Sequence, residues 1–498
     1  MHKSRVLFVP LVLIGVAGAT RAAEAATVVR NVSTVAQLYS EFAAADNDPN
    51  NLHEIHLAAG TYRLICPTSG DSLTTRGSLK LNKGNVLLIG AGNDLMNASG
   101  YVIDGGWGAT RCSSIVTMRQ PNASPTVPTL EVRGVYMQNS ANIATAGSAI
   151  DIRAGRLYFN YSRLLHVTAD ATGGAGISGV QATISIRRSM IDGAVMEDYG
   201  SGICGTGVFS WGGALYLSAS SGTISESTLI GGYACRGGGI AFSSSASTDL
   251  LAITNSTIAF NGADVSGGGI YATGPGKVTL LSNTIANNSA ASGSVGSDQH
   301  VARFGGGVAF DGLTGKLTAT GNIIAENSVT NPLKSDATTP IQDAYDCFFD
   351  KTSFTVTASN NLVGRQGNCT FFPLGRLVGR INARVNPRLD MFDIVPTVWP
   401  GLVGMYSGLM PGSVAIKGNA GTCEIEDERG TLRAPTACDL GAYQTACAHD
   451  PCVTGAKLST TCGYCVDAIC GVDAHCCSST WDSTCVSKIS TVCGQSCQ

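Results

Sequence analysis

The stretch GGALYL begins at Gly212, GGGIAF at Gly237, GGGIYA at Gly267 and GGGVAF at Gly305, with weaker copies GSAIDI at Gly147 and GAGISG at Gly174. No other feature restricts the possible folds as strongly. One glycine run beside a basic residue, as in Cys235-Arg236-Gly237, is compatible with a backbone cradle for phosphate. A cradle, however, is used once and opens a helix, whereas this element recurs and leads into β-rich residues. A second theme alternates with it: YSRL, RSMI, ESTL, NSTI, SNTI and GNII. Their final apolar residues are Leu164, Ile191, Leu229, Ile258, Ile285 and Ile324, spaced by 27, 38, 29, 27 and 39 residues. Self-similarity at such periods is the signature of a solenoid.

The short apolar runs between the themes, LLAIT, KVTLL and KLTAT, have strand length and strand composition. Stacked coils would bury one ladder through Ile177, Leu215, Ile240, Ile270 and Val308. A second would run through Leu164, Ile191, Leu229, Ile258, Ile285 and Ile324. Two residues before each member of the second ladder stands Ser162, Ser189, Ser227, Ser256, Asn283 or Asn322. Such a row at a bend predicts stacked side-chain hydrogen bonds, and glycine at the opposite corner turns the chain without a Cβ clash. Composition agrees: 62 glycines, 13% charged and 6% aromatic residues suit thin strands and tight turns. The formal charge of −3 offers no general attraction to nucleic acid or anionic lipid.

With these repeats the chain resembles the right-handed parallel β-helix proteins of the pectin-lyase-like superfamily. A predicted capping helix over Val35–Ala45, followed by IHLAAGTYRL, VLLIGAG and YVIDGG, is similar to the entry coils of that fold. The GGGI copies and the single Ala259-Phe260-Asn261 also resemble polymorphic outer-membrane adhesin repeats. Further on, Asp427, Arg429, Gly430, Arg433, Asp439 and Gly441 match the closing segment of secreted β-helix proteins with interchangeable C-terminal anchoring domains. The expected role of that Asp/Arg cluster is charge-assisted hydrogen bonding that closes the last coil. The fold class is therefore all-β: a right-handed parallel β-helix solenoid, an N-terminal capping helix and a small disulfide-rich C-terminal module.

Residues 1–26 read as a secretory signal, with basic residues before an apolar core and small residues suited to cleavage. No later stretch is long and apolar enough to predict a bilayer span. The expected organisation continues with a β-helix over 27–372, terminal coils and closing segment over 373–446, and a Cys-rich module over 447–498. The 18 cysteines fit export and disulfides. Eight lie in near-neighbour couples: Cys66 with Cys112, Cys204 with Cys235, Cys347 with Cys369, and Cys423 with Cys438. The other ten crowd into the tail, which resembles a small module appended to unrelated secreted bacterial proteins; that resemblance implies anchoring. Cys485 and Cys493 would share one face of a helix. The alternative for the tail is zinc, held by Cys462, Cys465 and His449 or His475. No metal or cofactor is expected, and nothing in the sequence indicates calcium.

Distances from each glycine corner to the next Ser/Asn row are nearly constant, while those from the row to the next glycine corner include two long insertions. These are Asp192–Trp211 and Asn287–Phe304. Insertions on one face of a repeat protein mark a binding face. Coils stack at about 4.8 Å, so three coils would hold the insertions roughly 14 Å apart as the walls of a trough. One wall would carry Glu197, Asp198 and Tyr199, the other Asp298, His300 and Arg303. The floor would carry Tyr233, Arg236, Asn261 and Asp264. The expected ligand-binding residues are Tyr199, Tyr233, Arg236, Asn261, Asp298 and Arg303.

If the trough were catalytic, Glu197, Asp198, Asp264 and His300 would carry the chemistry, since glycosidases need paired carboxylates. His166, one coil earlier, is a further base candidate. Lys277 and Lys316 are the only lysines between residues 140 and 330, which disfavours a polyuronate groove. The expected function is an exported or surface-associated, adhesin-like protein binding a polysaccharide or cell-surface glycan without catalysis. The alternatives are a polysaccharide-degrading enzyme, a hydrolase before a lyase, and a purely structural envelope role.

Overall fold

The computed structural model describes residues 26–65, 77–95, 97–106, 114–121, 125–142, 149–169, 173–196, 204, 210–290, 305–329, 346–349, 354–366, 369, 377–380, 383–389, 393–396, 403–406, 408–445, 447–494 and 497. The predicted signal segment, apart from Ala26, and the Cys66–Cys112 couple lie outside the described residues. Three long sheets of 11, 15 and 9 strands, here A, B and C, contain parallel pairings between successive coils. The fold is a right-handed parallel β-helix, the hand that parallel crossover connections adopt. In the central coils the chain runs from a strand of A to one of B, then through a short second strand of B, then to C.

Alternation within each strand explains the stacking. Leu215, Ile240, Ile270 and Val308 are register partners in sheet C, and Ile177 pairs with Leu215. Leu164, Ile191, Leu229, Ile258, Ile285 and Ile324 are partners in sheet B. All of these side chains are fully buried. Each contributes about 1.5–3 kcal/mol of burial. Because every coil repeats the same inward positions, the core is one continuous column.

The corner between A and B carries the expected polar row. Ser162 N–H donates to Ser189 Oγ at 3.1 Å, and the pattern continues through Ser227, Ser256 and Asn283. Asn283 Nδ2 donates to Asn322 Oδ1 at 3.0 Å, and Asn322 Nδ2 to Asn361 Oδ1 at 2.8 Å. The residue before each rung is left-handed, from Tyr161 (φ 51°) through Asn255 (φ 45°) to Asn360 (φ 52°). At the corner before C, Gly237 has φ 67°. A Cβ on its neighbour Gly238 would sit 2.0 Å from the Gly262 carbonyl oxygen, so the triple glycine is steric scaffold.

The N-terminal helix extends over Val35–Asn47. Thr34 and Gln37 form a capping box, and Leu38, Phe42 and Ala45 face the first coils. At the other end the architecture departs from expectation. The last strand in any of the three sheets is Leu362–Val363. Residues 377–379 stack on Leu362–Val363, with Val378 pairing parallel to Val363, and none of the three sheets has a further strand among the described residues. Beyond them the chain folds back as a strap over the outer face of sheet B, reaching Arg188, Thr228, Asn255 and Thr284, so the Asp/Arg cluster does not close the last coil.

The strap's contacts run along the solenoid. Arg188 lies 3.4 Å from Glu426, Thr228 Oγ1 donates to Glu428 at 2.8 Å, and Ala442 N–H donates to Thr284 Oγ1 at 3.0 Å. Gly441 N–H reaches the Gly321 carbonyl at 2.7 Å. Outward threonines at 228, 257 and 284 are consequently buried. Within the strap, Arg429 clasps Asp427 through Nε (3.0 Å) and Nη2 (2.8 Å), with its guanidinium 3.6 Å from the Tyr443 ring. Arg433 donates to the carbonyls of Asp439 and Gly441 and to Asn255 Oδ1.

The tail forms a separate small core around Trp481, Ile469, Ile489 and Val466, against which Met410 of the strap packs. Helices at Tyr464–Val472, His475–Ser478 and Ser483–Val492 are stapled by five bridges: Cys447–Cys462, Cys452–Cys497, Cys465–Cys493, Cys470–Cys477 and Cys476–Cys485. Cys462 and Cys465 are thus oxidised and cannot be zinc thiolates, which removes the zinc alternative. His449 contacts the carbonyls of Asp450 and Ala456 instead. Among the described residues no His/Cys/Asp/Glu cluster suits a metal ion, and no helix is long and apolar enough to cross a membrane. Together with Cys204–Cys235, Cys347–Cys369 and Cys423–Cys438, these bridges indicate an oxidising environment.

Candidate functional site

Both long insertions leave the solenoid between sheets B and C. Val195 is in register with Tyr233, Tyr233 with Gly262, and Gly262 with Ser289. The glycines at which the chain returns are equally aligned, since Gly212 N–H donates to the Arg236 carbonyl and Gly267 N–H to that of Gly305. Segment 330–345 joins the same two sheets, because Ser328–Val329 pairs with Ser289–Ala290 and Cys347 pairs with Val308. All three connections therefore run between the same two sheets, at one corner of the solenoid. Glu197, Asp198, Tyr199, Asp298, His300 and Arg303 lie outside the described residues.

The floor is described in full. The return of the first insertion is pinned to the next coil: Cys204 bridges Cys235, Ser210 Oγ accepts from Cys235 N–H at 2.8 Å, and Trp211 pairs with Arg236. This places the Arg236 guanidinium 5.4 Å from the Trp211 ring and 5.3 Å from the Tyr271 ring. The two rings meet edge to face at 5.4 Å, and Tyr216 stands 6.4 Å from Trp211. Arg236 Nη1 donates to Tyr271 Oη at 3.3 Å, and Tyr271 Oη donates to Asp311 at 3.4 Å. Burial, only partly offset by Arg236, pushes the Tyr271 hydroxyl up to about 12. A cation held against two aromatic faces is a fixed, low-entropy surface.

Tyr233 and Asp264 form a second pair. The Tyr233 ring lies over Gly262, where a Cβ would come within 2.8 Å of it, and its hydroxyl donates to Asp264 Oδ1. Burial and the neighbouring carboxylate both raise the Tyr233 pKa. Asp264 is only 7% exposed, and its second oxygen lies 3.8 Å from the oxidised Cys204 sulfur. It is positioned as an acceptor inside the floor.

Asn261 is corrected. It is not on the floor but inside the wall, 1% exposed, in a second asparagine row. Asn261 Nδ2 donates to Asn288 Oδ1 at 2.9 Å, Asn288 to Asn327 at 3.0 Å, and Asn327 to Asp346 at 2.9 Å. The row repeats the 27- and 39-residue steps of the sequence. Trp211, Tyr216, Tyr271 and Asp311 are contributors that the trough reading did not single out. Tyr216 and Tyr271 each follow an inward ladder residue, the alternation that turns a side chain outward.

A carboxyl outside the floor also stands out. Asp192, on the outer face of sheet B, is raised by burial and partly restored by His166 and Arg163. His166 is exposed and left-handed (φ 48°), at the corner position occupied one coil later by Gly193.

Fold and site together define a parallel β-helix bearing a stapled C-terminal module. Residues 445–497 match a family described as a domain of unknown function (DUF8252). No curated protein and no solved structure matches the chain.

Proposed function

We propose that this is an exported, surface-associated protein, similar to pectin-lyase-like and adhesin β-helices, that binds extracellular or cell-envelope glycan in the corner trough without turning it over. The observation that supports this reading is the half-buried Trp211 edge beside Tyr216, with Arg236 held between Trp211 and Tyr271. Aromatic faces take the C–H side of a sugar ring, and a clamped guanidinium donates to its oxygens. The disulfide-stapled module would retain the protein at the surface.

Hydrolysis is the second reading, favoured by one observation: Asp192 carries a raised carboxyl near His166 and Arg163. A glycan-array measurement paired with a reducing-end assay separates the two. Binding without turnover, weakened about tenfold or more by Trp211→Ala, is the expected result. Sustained release of reducing ends that disappears in Asp192→Asn would establish the hydrolase instead. Unaltered binding in Trp211→Ala would remove the trough.

A further inference from the structure

The same corner holds a second concavity two coils beyond Asp264, since Gly262, Ser289 and Ser328 are successive register partners. It encloses ≈ 460 Å³, within the range of small-molecule sites. Asn287, Asn327 and Ser328 line it together with the charged groups of Glu326, Asp346, Arg365 and Arg384. Neither the trough nor the strap network uses this set.

The chemistry of the lining narrows the ligand. Among the described residues no aromatic or aliphatic side chain lines it, so they offer an apolar molecule nothing. Two carboxyl groups face two guanidinium groups, so the site balances near neutrality and favours neither an inorganic anion nor a divalent cation. The back wall is rigid: Asp346 accepts from Asn327 N–H at 3.0 Å, from Asn327 Nδ2 at 2.9 Å and from Arg365 N–H. In front of it Arg384 Nη2 lies 3.2 Å from Glu326 Oε1, with side-chain exposures of 43% and 23%. Asn287 also hydrogen-bonds Glu326. A carboxylate beside a forked guanidinium presents an acceptor and paired donors side by side, which matches adjacent hydroxyls on one ring.

We propose that this pocket binds a neutral, hydroxyl-rich ligand of sugar-unit size, with Glu326 and Arg384 as the principal contacts. The site is independent of the Trp211 trough and stands or falls separately.

Calorimetric titration of the full chain with glucose, galactose, mannose and N-acetylglucosamine tests it, with inorganic phosphate and calcium chloride as charged probes. At least one neutral sugar is expected to bind at about 10 mM or tighter. Arg384→Ala and Glu326→Gln should each weaken it about tenfold or more. The isosteric glutamine variant keeps the test valid if loss of Arg384 impairs folding, and circular dichroism melting checks both. The proposal is overturned if no neutral sugar binds, if binding persists unchanged in the folded variants, or if phosphate or calcium binds more tightly than every sugar.

Discussion

Glu428 shows how a single residue ties the strap to the solenoid. It is 1% exposed and accepts from Thr228 and Thr257, while its own N–H donates to Ala442 at 2.9 Å. Burial raises its carboxyl well above the ordinary value, the threonine hydroxyls oppose this, and Asp427 adds to it. Asp346 behaves alike, pushed up to about 6 by burial despite donors from Asn327 and Arg365. Both acids hold their protons more tightly folded than unfolded. The stability this confers is complete below the unfolded pKa values and is lost as pH rises through the folded ones. For Asp346 that loss amounts to about 3 kcal/mol. The melting temperature is therefore expected to fall from about pH 4 to pH 6 as Asp346 titrates, with Glu428 carrying the fall to higher pH. Glu428→Gln should reduce that fall and match or exceed the native protein at pH 8. A native melting temperature that climbs steadily over the interval would contradict the assignment.

At the scale of an element, the asparagine rows turn repetition into rigidity. Asn322 connects three coils: it accepts from Asn283 N–H at 2.9 Å and donates to Asn361 Oδ1 at 2.8 Å and to the Leu280 carbonyl at 2.8 Å. Asn322→Ala would leave several buried groups without partners, at about 3 kcal/mol or more. Asn322→Ser should cost less, because serine occupies this rung in the earlier coils. Denaturant midpoints measure both, and equal losses would argue against hydrogen bonding as the cause. This row was readable in the sequence, because Ser256, Asn283 and Asn322 precede ladder residues at constant offset. The row through Asn261, Asn288 and Asn327 carries the same periodicity. It is easily mistaken for surface, since an asparagine beside exposed Phe260 looks solvated until the coils are stacked. The Trp211–Arg236–Tyr271 cluster was only half legible: Arg236 stands out beside the glycines, but nothing local joins it to rings 25 and 35 residues away in sequence.

For the whole molecule the strap is the decisive feature. Its strand Val403–Tyr406 lies against Thr228–Ile230 of sheet B, and its Leu409, Ala415 and Leu440 pack with Ile323 and Leu362. Truncation before Cys447 removes a module with its own core and should leave the β-helix soluble, with its melting temperature within a few degrees. Truncation before residue 377 strips an apolar and threonine-rich face and should yield aggregating protein. Light scattering on the two truncated forms distinguishes them, and a soluble monomer from the shorter form would show the strap to be dispensable.

Sequence alone determined the solenoid. Its inward ladders, polar rows and glycine corners are periodic, and periodicity is a local property that stacking merely realises. It also placed the insertions at one corner, because their flanks keep the repeat's offset. Only the tertiary structure decided where the segment after Val363 goes. Its Asp427–Arg429 pair is satisfied within the segment, but Arg433 reaches Asn255; the face it covers is made of outward residues from many coils, and no spacing along the chain encodes that meeting.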